Sequence, residues 1–160
     1  MAEKSRFNVD YPIITLKRAF NIEQVVSLYY LEYAKDFVFK GESHDFWELL
    51  YVDKGKAEVM AGSDVYVLEQ GEIIFHKPNE FHNVCATGKI PPNLIVIAFV
   101  CNNPDMKFFE NKILKTEQRE RDILARIIRE RTNCFNDPLD RLIKEKNIKQ
   151  NGPFGSQQLV

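Results

Sequence analysis

Five glycines, Gly41, Gly55, Gly62, Gly71 and Gly88, cut residues 12–101 into short runs rich in Val, Ile, Phe and Tyr, whereas residues 112–149 contain no glycine at all. β-branched and aromatic runs bounded by turn residues read as strands, and a glycine-free stretch of grouped Ile and Leu among charges reads as helix. Strands are predicted at Ile13–Lys17, Gln24–Tyr33, Phe46–Val52, Ala57–Met60, Val65–Leu68, Glu72–His76, Asn83–Ala86 and Leu94–Cys101. Strands this short, with a turn every several residues, call for an antiparallel sandwich or barrel. Phe46–Val52 is apolar on both alternating faces except at Glu48, so it is expected to be packed on both sides.

The helical part is predicted to open at Thr116 as N-cap, with Glu117 in the first turn. Ile123, Leu124, Ile127 and Ile128 then form a stripe at helical spacing, which is expected to be buried against the barrel, against a partner subunit in a dimer, or both. Asp137 and Pro138 read as the start of a second helix, with Leu139, Leu142 and Ile143 on one side. Ser156 reads as the N-cap of a third, and a helix that begins four residues before Val160 has nothing to pack. The sequence is therefore expected to be a piece of a longer chain. The expected division is an N-terminal arm at 1–11, a barrel at 12–111 and a helical segment at 112–160.

The bulk numbers fit one globular domain. The chain has 160 residues, 44% hydrophobic and 28% charged, with a formal net charge of -1. That balance argues against a chain that grips nucleic acid by itself, which needs a concentrated basic surface. The N-terminus is polar and has no apolar signal-peptide core, and the longest apolar run, Leu94–Cys101, is far too short to span a bilayer. No membrane partner is expected. Cys85, Cys101 and Cys134 are widely spaced and form no metal or disulfide pattern, so a reducing cytoplasm is the expected compartment.

The polar residues with chemical potential lie in the strand region. Glu42, His44 and Glu48 share parity, so on one extended strand they would point to the same side, among Phe46, Leu50 and Val52. Ionisable groups on an apolar face are costly unless paired, metal-bound or turned to a ligand cavity. A second cluster, His76 to His82, follows Gly71 across Pro78.

These residues resemble the two cupin motifs. The first motif has two histidines one residue apart, then a Glu and a Gly; the second runs from Gly through Pro to a third His. Here Glu42 stands where the first His belongs, His44 matches the second, Glu48 the Glu and Gly55 the Gly. Gly71, Pro78 and His82 match the second motif. His76 falls in neither and is expected to be structural. The wording His44-Asp45-Phe46-Trp47-Glu48-Leu49-Leu50-Tyr51-Val52, with Gly71-Glu72-Ile73-Ile74-Phe75 and the tail Gly155-Ser156-Gln157-Gln158-Leu159, resembles the N-terminal part of AraC-family transcription regulators.

The resemblance implies a cupin-type antiparallel β-barrel (a double-stranded β-helix) followed by C-terminal α-helices, mainly β in class. It implies an effector-sensing and dimerisation domain, a binding module and not an enzyme. A sugar or other small metabolite would enter the barrel at His44, Glu48, His82 and Glu42. The chain would form a homodimer, and DNA would be read only by helix-turn-helix units outside this sequence. The alternative is a stand-alone metal-dependent isomerase or oxygenase. In either case two imidazoles with one or two carboxylates suit zinc, nickel, iron or manganese.

Overall fold

The computed structural model describes residues 20–134 together with Pro12, Ile14 and Thr15. The expected arm at 1–11, most of the strand at Ile13–Lys17, the second helix after Pro138 and the start of the third at Ser156 lie outside the described residues.

Among the described residues nine strands form: β1 (Gln24–Glu32), β2 (Val38–Glu42), β3 (Trp47–Lys54), β4 (Lys56–Ala61), β5 (Asp64–Glu69), β6 (Glu72–His76), β7 (His82–Thr87), β8 (Asn93–Val100) and β9 (Ile113–Lys115). A 3-10 turn spans Pro104–Phe109, and helix α1 spans Gln118–Cys134. The strands make two antiparallel sheets, one in the order β1-β8-β3-β6-β9 and the other β2-β7-β4-β5. Successive strands β1 to β4 alternate between the sheets, and β5 to β8 return in the reverse sense. That interleaving is the double-sheet jelly roll of cupins, so the strand order itself delivers the expected architecture.

Side-chain alternation sorts residues between the lumen and the outside. Leu50 and Val52 of β3, Ala57, Val59 and Ala61 of β4, Leu68, Ile74, Val84 and Leu94 form the core between the sheets. The other face of β3 is covered too. Trp47 packs with Phe99, Cys101 and Met106 beside the 3-10 turn, as a residue on the face opposite Glu48 should. Tyr51, Ile73 and Ile95 receive Leu124 of α1, with Ile128 at the margin. Burying a leucine in this way contributes about 1.5–3 kcal/mol. The two-sided packing expected of this strand is what forms.

The start of α1 differs from expectation. The Thr116 hydroxyl donates to the Gly71 carbonyl (2.7 Å) and does not cap the helix. The helix begins at Gln118, and the Glu120 carboxylate reaches back to accept the Glu117 amide at 2.9 Å, which is half of a capping box. Of the stripe expected to pack on the barrel, a partner subunit or both, Leu124 and Ile128 face the barrel and Ile127 is half-buried, while Ile123 is 48% exposed. β9 pairs with β6, so the five-stranded sheet runs past the boundary expected at residue 111. Among the described residues no helix is long and apolar enough to cross a membrane.

Candidate functional site

Three chain segments meet at one end of the barrel, where β2 and β6 stop and β3 and β7 begin. Glu48 enters from β3 and pairs in register with His76 of β6. His82 is the first residue of β7 and lies between Glu42 of β2 and Ala61 of β4. His44 sits on the connection from β2 to β3, which crosses from one sheet to the other. The connection from β6 to β7 turns through Asn79 at φ 64°, a conformation that asparagine tolerates better than most side chains. The Asn79 amide donates to the His44 carbonyl at 2.6 Å, tying the two connections together.

The expectation that Glu42, His44 and Glu48 share one extended strand is not met. Glu42 ends β2, Glu48 belongs to β3, and bends at Asp45 and Phe46 separate them. The residues converge because the chain changes sheets at this end, not because of period-two parity. Converge they do: one ligand atom from each of Glu42, His44, Glu48 and His82 falls within 4.8 Å of the others.

Glu48 is the centre. Its Oε2 lies 3.5 Å from His44 Nε2 and its Oε1 3.6 Å from His82 Nε2. The far side of each ring is fixed. His44 Nδ1 bonds the Phe46 carbonyl and His82 Nδ1 the Glu80 carbonyl, both at 3.0 Å. A carbonyl only accepts, so each Nδ1 carries the proton and each Nε2 presents a lone pair in the neutral ring. Both Nε2 atoms are buried and have no hydrogen-bond partner. Unpaired buried acceptors of this kind are rare in folded proteins. Backbone orientation of Nδ1 with Nε2 left free is also how metal-binding histidines are prepared.

Two neighbours complete the cluster. His76 is fully buried and stacks on His82, with centroids 4.3 Å apart; its Nδ1 faces Glu80 Oε2 at 3.7 Å. It thus adjoins the site. Its signal in the sequence was the parity it shares with Ile74, which lines the lumen. Tyr33 is the second. Burial, and then the Glu48 charge, push its phenol up to about 12, so the ring stays protonated and can donate. A cleft of about 400 Å³ between Gly55, Lys56, Glu69, Thr87 and Lys89 lies toward the opposite end of the strands and holds none of these groups.

The two motif histidines titrate in opposite directions. Burial opposes a charge on His44, but the Glu48 carboxylate 3.5 Å from its Nε2, the Phe46 carbonyl and the Glu42 charge outweigh it, and the pKa rises above 6.5. His82 falls below 6.5, chiefly by burial, with the His76 and His44 charges adding to it against the pull of Glu48. The stabilising contribution of His44 is therefore complete below pH 6.5 and is lost as pH rises through its folded value. That of His82 is complete above pH 6.5 and is lost as pH falls through its folded value. Titration of the ring protons by NMR should show His44 protonating first as pH falls. The reverse order would remove Glu48 as the counter-charge of His44.

No curated protein matches the chain by sequence. Solved structures with some likeness include a predicted oxalate decarboxylase from Thermotoga maritima, 13% identical over 48% of this chain and 67% of that one, with a TM-score of 0.46. Another is a cupin superfamily protein from Desulfitobacterium hafniense, 13% identical over 50% of this chain and 81% of that one, with a TM-score of 0.41. A third is a cupin protein from Bacteroides fragilis, 16% identical over 56% and 83%, with a TM-score of 0.40. Likeness at this level adds nothing to what the strand order already establishes. The family model described as the AraC-like ligand binding domain matches residues 24–91, less than half of the chain. Glu42, His44, Glu48, His76 and His82 all lie in this stretch, which is thus similar to a ligand-binding domain of the AraC type.

Proposed function

We propose that this chain is the effector-sensing and dimerisation part of an AraC-type transcription regulator, and that a small molecule, a sugar or another metabolite, binds at the His44–Glu48–His82–Glu42 end of the barrel. One observation carries the reading. Inside the stretch similar to a ligand-binding domain, two buried imidazole nitrogens without hydrogen-bond partners converge on one carboxylate. Such groups stay unpaired at a cost of about 1–3 kcal/mol each unless an occupant takes them up. In this reading the chain is not an enzyme and works in the cytoplasm, and operator DNA is contacted by a helix-turn-helix region outside this sequence. Ile123 on the outer side of α1 belongs to the dimer contact, while Leu124 and Ile128 couple the helix to the barrel wall.

The same donor set fits a divalent cation. Two neutral imidazoles with free Nε2 atoms and the carboxylates of Glu48 and Glu42 would hold zinc, nickel, iron or manganese. Such an ion would supply positive charge to anchor an oxygen or nitrogen of the effector.

Thermal unfolding of the full chain against a panel of sugars and small metabolites, with and without zinc, tests the proposal. At least one compound is expected to raise the midpoint, as a ligand specific for the folded state must, and His82→Ala should remove that shift. A panel without any binder, or a shift indifferent to His82→Ala, would overturn the reading. Turnover of a bound compound would transfer the site to a metal-dependent enzyme.

A further inference from the structure

His76 does not belong to the four-residue donor set, yet it is the most deeply buried imidazole, 0% exposed against 3% for His82. Neither of its ring nitrogens has a hydrogen-bond partner. Packing alone is a poor reason for such a residue. Phe or Leu would fill the space without the cost of burying a polar ring whose Nε2 has no partner. Its register partner is Glu48, so the two side chains leave neighbouring strands on the same face of the sheet, toward the lumen.

The stacking on His82 decides what the ring can do. The planes of the two rings are only 13° apart. An imidazole coordinates an ion in its own plane, so an ion on His82 Nε2 is out of line for the lone pair of a parallel ring. His76 is thus poorly placed to serve as a further ligand of that ion. Its Nδ1 faces the Glu80 carboxylate at 3.7 Å, which favours the proton on that nitrogen and leaves Nε2 as an acceptor. His44 and His82 are set in the same tautomer by carbonyls. The cluster therefore offers three imidazole acceptors and the Glu48 carboxylate. The Lys77 ammonium, next in sequence to His76, is engaged by Glu80 at 3.4 Å.

We propose that Nε2 of His76 accepts a hydrogen bond from a hydroxyl or amine group of the barrel's ligand, and that this selects neutral polyol-type or amine-type effectors over molecules without donors. The proposal rests on the effector-sensing reading and sharpens it. A donor relieves an unpaired acceptor, while a ligand of the same shape without one leaves the nitrogen bare, and sites built on hydrogen bonds discriminate strongly on that basis. An acid brings further negative charge to Glu42, Glu48 and Glu80.

The test uses the full chain, freed of metal by a chelator, and a panel of polyols and amines led by xylitol and 1,4-diaminobutane. Glutarate and cyclohexanone serve as probes without the donor. Long-range proton–nitrogen NMR reads the ring nitrogens during titration. A donor probe should bind and move His76 Nε2 toward the hydrogen-bonded range, and the donor-less probes should not. His76→Phe, which keeps the volume, should weaken the donor probe by about tenfold or more and leave zinc affinity unchanged. Should that variant fail to fold, the nitrogen shift in the unaltered chain still decides. A donor probe that binds without moving His76 Nε2 overturns this inference and leaves the effector reading standing. Failure of every polyol and amine to bind overturns the inference, and if no other small molecule binds either, the effector reading falls with it.

Discussion

Glu48→Gln should lower the zinc affinity of the chain by at least about a hundredfold, since loss of even an outer partner of a metal ligand commonly costs about 10–100-fold. The substitution keeps the shape of the side chain and removes its charge. In the folded chain the carboxylate stands 3.5 Å from His44 Nε2 and 3.6 Å from His82 Nε2, so it is the one group shared by both imidazoles. An amide offers one oxygen in place of two and carries no negative charge to attract a dication. A second consequence follows from the causes of the His44 shift. Burial opposes the charged ring, and Glu48 is the largest of the groups that raise the pKa. Without it, burial dominates, and His44 should titrate below 6.5 alongside His82. A competition titration with a chromophoric chelator reads the first effect, and ring-proton NMR reads the second. Unchanged zinc affinity would mean that any metal on this chain sits elsewhere. Unchanged His44 titration would mean that the Glu48 contact is absent in solution.

The barrel was legible because its strands carry alternation that only a two-layered β architecture satisfies. Phe46–Val52 announced two packed faces, and both are packed, one in the lumen and one under the 3-10 turn and α1. β2 was invisible for a physical reason. Val38-Phe39-Lys40-Gly41-Glu42 has a glycine and two charges in five residues, and its pairing with β7 is broken by a register shift between Phe39 and Glu42. Local propensity does not favour such a strand; the neighbouring strand imposes it. β9 is three residues long, below any periodicity signal. The site was legible as a set of residues and not as a geometry. Motif order picked out Glu42, His44, Glu48 and His82, while the parity argument placed three of them on a strand that does not exist. His76 escaped because motif order says nothing about a histidine between the matches, and only tertiary stacking on His82 reveals it. Tyr33 escaped because an aromatic at the end of a strand looks like core, and its nearness to Glu48 depends on the fold of the intervening residues.

Gly41→Ala should destabilise the fold by about 2–4 kcal/mol, at the upper end for a single substitution, and should damage the site as well. Gly41 has φ 107°, a region open to glycine and strained for any residue with a Cβ. A Cβ here would also stand 2.5 Å from Phe81 Cζ and 2.7 Å from the His82 carbonyl oxygen. The Phe81 ring, half exposed, can swing away. The carbonyl cannot move unless the start of β7 moves with it, and His82 is the first residue of that strand. The strain is thus expected to be relieved by displacing the imidazole that pairs with Glu48. Gly62→Ala is the control. Its φ of 62° is also positive, but the nearest atom to its Cβ would be Glu80 Oε1 at 3.7 Å, an ordinary contact. Only the backbone cost of about 1–2 kcal/mol remains there. Urea unfolding of the two variants should show the larger loss for Gly41→Ala, and zinc titration should show weakened binding for Gly41→Ala alone. Equal losses in both measurements would mean that the close approach of β2 to His82 does not hold the site in shape.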